Sequence, residues 1–152
     1  MKSILLLYIF CVLYFFNISA QSNSTPTFFA GPTFHLNIGN EEHNISFGLE
    51  ASAWLLNSDF NLPPSADIGI EFEKGKFRVY SELQTGALIG LSAGPVVEFS
   101  KEDPRFGFQS SIWAAFILGF DFRYRRINNT NYFCPGSFIK VPLNFDKSFA
   151  GF

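Results

Sequence analysis

The 152-residue chain has two cysteines, two histidines and one methionine. Cys11 lies in the first apolar run, and Cys134 stands alone beyond it. Small exported chains commonly rely on disulfides. With Cys11 removed alongside a leader, no intramolecular disulfide can form. Stability then has to come from closed backbone hydrogen bonding, from burial or from lipid. Cys134 has no histidine near it in sequence and reads as an ordinary half-buried residue. Charge is scarce too: Asp, Glu, Lys and Arg make up 16% of the chain, against about 25% in a typical soluble domain. Basic residues are not in excess and form no stripe, which argues against a nucleic-acid partner. No internal repeat or low-complexity segment stands out.

A membrane-spanning helix is also missing. The apolar run 4–16 is too short for one, since a spanning helix needs about 20 apolar residues. Lys2 precedes the run, and Asn17-Ile18-Ser19-Ala20 ends it on a small residue before Gln21. A charged start, a short apolar core and a small residue at the cut are the pattern of a secretory signal peptide. Phe10 before Cys11 argues against a lipid-attachment box. The expectation is a cleaved signal over 1–20 and a single domain over 21–152. That domain would be 132 residues long with formal charge −3.

Phenylalanine is abundant, with 21 residues, and the chain alternates. Segment 105–126 reads RFGFQSSIWAAFILGFDFRYRR. Every second residue of it (Phe106, Phe108, Ile112, Phe116, Leu118, Phe120, Phe122, Tyr124) is apolar or aromatic, with only Ser110 and Ala114 small. The intervening set holds Gly107, Gln109, Ser111, Gly119, Asp121, Arg123 and Arg125, with Trp113 and Ile117 as exceptions. A period of two is the strand period, because successive side chains point to opposite faces. Similar alternation runs through 27–39, 45–57, 67–74, 76–83, 88–99 and 132–143. Polar, Gly- or Pro-bearing breaks separate the runs at 40–44, 57–65, 74–75, 84–86, 100–104 and 128–131. Seven runs result. They become eight if 105–126 folds back near Ala114-Ala115, where no turn residue marks the place. The expected fold is all-β: an antiparallel up-and-down barrel of about eight strands.

Alternation leaves two architectures open: a soluble barrel greasy inside, or a membrane barrel greasy outside. The polar face favours the second. It carries Gly31, Gly48, Gly69, Gly90, Gly94, Gly107 and Gly119 with several serines, and small residues suit the crowded interior of a narrow barrel. It also carries charges of both signs, Glu50, Glu71, Arg78, Glu82, Glu98, Asp121, Arg123 and Arg125, as a charge-paired lumen would need; the expected network is Glu50, Arg78, Glu82, Glu98, Asp121, Arg123 and Arg125. Asp121, Arg123 and Arg125 would alternatively form a basic mouth for an anionic ligand. A closed barrel pairs every backbone group internally, which a bilayer demands. Trp54, Tyr80, Trp113, Tyr124 and Tyr132 are candidates for interface girdles, though Trp54, Tyr80 and Trp113 fall on the polar parity.

The strands FGFQSS, ILGFDFRYRR and GLSAGPVVEF, with the terminal Phe152, resemble those of small bacterial outer-membrane β-barrel proteins. The resemblance is architectural. It implies an outer-membrane location, contact with membrane lipid, and a structural or interaction role. The residues before Phe152 (Asn144, Asp146, Ser148, Ala150) depart from the alternation expected of a final strand. The alternative is a secreted or periplasmic lipocalin-like barrel with an apolar ligand inside.

Catalytic motifs are weak. Gly90-Leu91-Ser92-Ala93-Gly94 matches G-x-S-x-G, but within an alternating run and with both histidines upstream. His35, Glu41, Glu42 and His43 lack the spacing of a metal site. No enzyme activity, cofactor or metal is expected, and the sequence names no small-molecule or protein partner.

Overall fold

A computed structural model describes residues 26–39, 43–56, 62–101, 103–115 and 118–143. The expected signal over 1–20 and the tail 144–152 lie outside the described residues, as do Glu41, Glu42 and Phe116. The strands are β1 (Thr27–Gly39), β2 (His43–Trp54), β3 (Pro64–Glu73), β4 (Lys76–Gly86), β5 (Ile89–Phe99), β6 (Arg105–Ala115), β7 (Leu118–Ile127), β8 (Thr130–Ile139) and the two-residue β9 (Val141–Pro142). From β1 to β8 each strand pairs antiparallel with the next, and β1 also pairs with β8, so the sheet closes. β9 continues the line of β8 along β1 in the same register. The break falls at Lys140, opposite Gly31, where an added Cβ would lie 1.7 Å from the Ile139 carbonyl oxygen.

The register fixes the shape of the barrel. Phe28 leads through paired residues Ala53, Ala66, Leu83, Ala93, Ser110, Tyr124 and Phe133 to Ile38. One circuit therefore returns ten residues further along β1, a shear of ten. Eight strands with this shear tilt by about 40° and enclose a radius of about 8 Å. Such a barrel is filled by side chains.

Segment 105–126 is two strands. β6 ends at Ala115 and β7 begins at Leu118. Trp113 faces Asp121 and Ala115 faces Gly119, so odd-numbered residues point inward on both sides of the turn and the alternation runs through it unbroken. Several boundaries also differ from the sequence expectation: β2 starts at His43 and ends at Trp54 rather than spanning the expected 45–57, and β8 starts at Thr130, before the expected 132. Gln84, Thr85 and Gly86 belong to β4, and the turn falls at Ala87-Leu88. Gly86 ends the strand at φ 149°, which glycine alone tolerates. Ser65 and Ala66 belong to β3, because the pairing with β2 extends to Ser65 opposite Trp54.

The greasy set faces outward. Phe47, Leu49, Ile68, Phe72, Leu91, Phe106, Ile112, Phe120 and Phe122 are all exposed. Rings pack across neighbouring strands on this surface, as in the stacked Phe77–Phe99 pair at 4.6 Å and Phe34 edge-on to Phe47 at 5.1 Å. The girdle expectation is corrected for Tyr80, Trp113 and Tyr132, which are buried in the lumen, and for Trp54, which packs edge-on against Trp113. Of the five candidates only Tyr124 faces out.

Inward glycines lie opposite large rings. Gly69 pairs with Tyr80, Gly90 with Trp113 and Gly119 with Phe138. An added Cβ at each would fall within 2.3 Å of that ring. The ring lies flat over the neighbouring strand, and only glycine leaves room for it.

Candidate functional site: the lumen

The inward face of the strands gathers most of the charge of the described residues. Towards the end bearing the Lys74-Gly75 and Asn128-Asn129 turns, Arg78 is wholly buried. Its Nη1 donates to Glu71 at 2.8 Å and Glu73 at 2.6 Å, and its Nε donates to Glu98 at 2.7 Å. Arg105, at the rim, donates to the other oxygen of Glu98 at 2.5 Å. Asn37 adds bonds to Ser46 at 2.9 Å and Glu73 at 2.8 Å.

At mid-barrel Arg125 grips Glu71 with two parallel hydrogen bonds of 2.9 and 2.8 Å. This bidentate fork is the strongest geometry available to a guanidinium–carboxylate pair. The Arg125 Nε donates to Gln109 at 2.9 Å, and Gln109 passes a bond of 3.0 Å to Glu82. Arg123 lies over the Tyr80 ring, 4.7 Å from its centroid. Its nearest carboxylates are Asp121 at 3.3 Å, Glu50 at 3.6 Å and Glu82 at 3.9 Å. The Tyr80 hydroxyl donates to Glu50 at 2.7 Å.

The third level lies nearer the chain termini. Lys140 donates to Glu50, to Asp67 at 2.7 Å and to Ser52 at 2.6 Å. Gln84 donates to both oxygens of Asp67 at 2.8 and 2.7 Å. Beyond this level the lumen turns aromatic, with Trp54 edge-on to Trp113 at 5.8 Å and Phe138 alongside.

All seven charges singled out in the sequence point inward. Within that set, Arg78 contacts Glu98, and Arg123 lies near Glu50, Glu82 and Asp121. Arg125 contacts none of them directly; its partner is Glu71. Glu71, on the polar face by its parity, joins them in the lumen, as do Glu73, Asp67, Lys140 and His35, none of which was expected in the charge network. Glu71 lies 54 residues from Arg125, and His35 lies 86 residues from Asp121, so nothing local in the sequence links them. The basic-mouth arrangement of Asp121, Arg123 and Arg125 is not what forms, because both arginines are buried among carboxylates.

The catalytic candidates resolve as structure. Ser92 lies within β5, where Oγ contacts Glu82 at 3.0 Å and the Ser111 hydroxyl at 2.6 Å, with no sharp turn beside it. His35 is buried between Asp121 at 3.0 Å and Glu71 at 3.7 Å. Ser46 touches the backbone oxygen of His35, at 3.5 Å, and not its ring. Among the described residues, neither histidine hydrogen-bonds a hydroxyl or thiol side chain. His43 is exposed at the start of β2, apart from His35 in the lumen. Cys134 is a buried free thiol in the small cluster of Tyr80, Val96, Ile127 and Tyr132.

No protein-family model and no curated protein matches this sequence. Among solved structures, the chain is similar to Ail, the attachment invasion locus protein of Yersinia pestis. In its complex with the heparin analogue sucrose octasulfate the identity is 9% and the TM-score 0.41, covering 76% of this chain and 97% of that one. Ail without that ligand gives 8% identity and a TM-score of 0.34, over 79% of this chain and all of the other. At this level of likeness the barrel's own geometry carries the functional reading.

Proposed function

We propose that this chain is an integral outer-membrane barrel with a structural or interaction role, closed to ions by the charges packed in its lumen. One observation carries the reading: apolar and aromatic residues face outward all round a closed sheet, while the charged residues of the described strands, Arg126 near the end of β7 apart, face inward. Water would be a poor solvent for that outer surface, since contiguous apolar patches beyond a few hundred Å² are rare on soluble proteins. A bilayer suits it, because a closed barrel leaves no backbone edge unpaired in hydrocarbon. The lipocalin-like alternative needs the aromatic set inside, and the lumen holds Arg78, Glu71 and Arg125 instead.

Fractionation tests the location. Expressed with its leader, the protein stays in the membrane pellet through an alkaline wash and runs with a heat-dependent mobility on a gel. Release into the soluble fraction overturns the reading. Phe122→Arg, on the outer face of β7 beside Phe133, costs about 2–4 kcal/mol of membrane stability if that face meets lipid near the midplane. Phe120→Asp on the same exposed face weakens assembly in the same sense. Sustained ion conductance by the purified barrel in a planar bilayer would overturn the closed lumen.

A further inference from the structure

The aromatic end of the lumen encloses space that the charged levels do not. Phe29, Trp54, Trp113 and Phe138, with Gln84 and Lys140, line a cavity of about 200 Å³ at the barrel mouth, a preferred position for small-molecule sites. The polar groups in its wall are largely spent. Lys140 gives its ammonium protons to Glu50, Asp67 and Ser52 and lies over the Phe138 ring, so its charge is already compensated. Gln84 uses its amide nitrogen on Asp67, and its carbonyl oxygen accepts no hydrogen bond from the described residues. What remains for a visitor is aromatic surface, the Gln84 carbonyl oxygen as acceptor, and the buried Trp113 Nε1, a donor with no partner among the described residues.

We propose that this vestibule binds a small uncharged aromatic molecule carrying one hydrogen-bond donor, its ring against the tryptophan and phenylalanine walls and its donor on the Gln84 carbonyl oxygen. Lys140 is the one charged residue in the wall and is already paired with Glu50 and Asp67, so the wall offers an ion no free counter-charge for its lost hydration, and a neutral molecule suits it. The proposal rests on the barrel geometry and does not require the membrane reading.

The chain's two tryptophans, Trp54 and Trp113, both line the cavity. Tryptophan emission therefore reports on the vestibule alone. The test titrates benzyl alcohol into the purified full chain in detergent micelles. The expected result is a saturable change in emission. Cyclohexylmethanol, with the same hydroxyl and no aromatic ring, binds about tenfold more weakly because ring–ring contacts are lost. Phe29→Ala removes one wall and weakens benzyl alcohol binding by about tenfold. Ala115→Phe, which puts a ring into the cavity, abolishes the saturable part; heat-dependent mobility verifies that each variant still closes. If Ala115→Phe does not close, Phe29→Ala and the two alcohols decide. A response that stays linear with concentration in the unaltered protein reports partition into detergent only and overturns the proposal. Equal affinity for the two alcohols, or undiminished binding in Phe29→Ala, overturns the aromatic assignment.

Discussion

The two ends of this lumen are built on the same strands and the same period of two, yet they are filled differently. From the Lys74-Gly75 end to mid-barrel the lumen is filled by charge: Arg78, Arg125, Glu71 and Glu98 are wholly buried and bonded to one another or to Gln109. The terminal end is walled by rings around a cavity, with Lys140 as its last charge. Buried charge demands a partner for every group and so leaves no room. Aromatic side chains need no partner and tolerate space beside them. The barrel is thus a plug at one end and a cup at the other, and the difference should appear as a difference in what mutation costs.

The largest effect belongs to the plug. Glu71→Leu strips the bidentate partner from Arg125, leaving that buried guanidinium without a carboxylate, and takes one of three carboxylates from Arg78, which keeps Glu73 and Glu98. Breaking a buried pair from one side costs about 3–5 kcal/mol. This would appear as a lower denaturant midpoint for the heat-modifiable form, or as failure to close. Lys140→Met makes the matching change at the cup. Lys140 is 12% exposed beside the cavity, and without it Glu50 keeps Tyr80 and Arg123 while Asp67 keeps Gln84. The expected cost is about 1–3 kcal/mol. Equal costs at the two positions would mean that the cup is as dry as the plug, and the contrast would fail.

Glycine substitutions sharpen the same contrast with a smaller probe. At Gly69 an added methyl meets the Tyr80 ring at 2.3 Å, and Tyr80 is fixed by its bond to Glu50 and by Arg123 over its face. Gly69→Ala forces that cluster apart and costs about 1–3 kcal/mol, as overpacking does. At Gly119 the same methyl meets only the Phe138 ring, at 2.2 Å, and Phe138 borders the cavity. The ring can swing into free space, while alanine lowers the entropy of the unfolded chain by about 0.4–1 kcal/mol in the protein's favour. Gly119→Ala is therefore near neutral in the same denaturant titration. A larger cost at Gly119 than at Gly69 would place the rigid end of the barrel at the wrong side.

How much of this could be read from the sequence follows from the range of each interaction. Which residues face outward was legible, because alternation is local and both faces are chemically distinct. The strand count was not settled, since the β6–β7 hairpin pairs odd residues with odd ones and carries the alternation through its turn. The inward placement of Glu50, Arg78 and Arg125 was legible by the same parity. Their partners were not: Glu71 meets Arg125 across the lumen only because the shear is ten, a property of the whole barrel that no short segment expresses. Lys140 was hidden among Pro135, Val141 and Pro142 in a run with no clear alternation. The cup itself was obscured because Trp54 and Trp113 looked like misplaced girdle residues, when their parity was reporting a lumen position.

The smallest expected effect lies at the outer limit of the plug. Arg105 is 30% exposed and donates to Glu98 at 2.5 Å, but Glu98 is also held by the buried Arg78 at 2.7 Å. Removing Arg105 leaves that carboxylate paired and open to water on its rim side. An exposed ion pair contributes about 0–1 kcal/mol and weakens with added salt. Arg105→Ala should therefore shift the denaturant midpoint slightly at low ionic strength and less at high. A loss comparable to that of Glu71→Leu, and indifferent to salt, would show that Arg105 is functionally buried. The plug would then extend to the rim of the barrel, with dry packing continuing past the level at which Arg78 is enclosed.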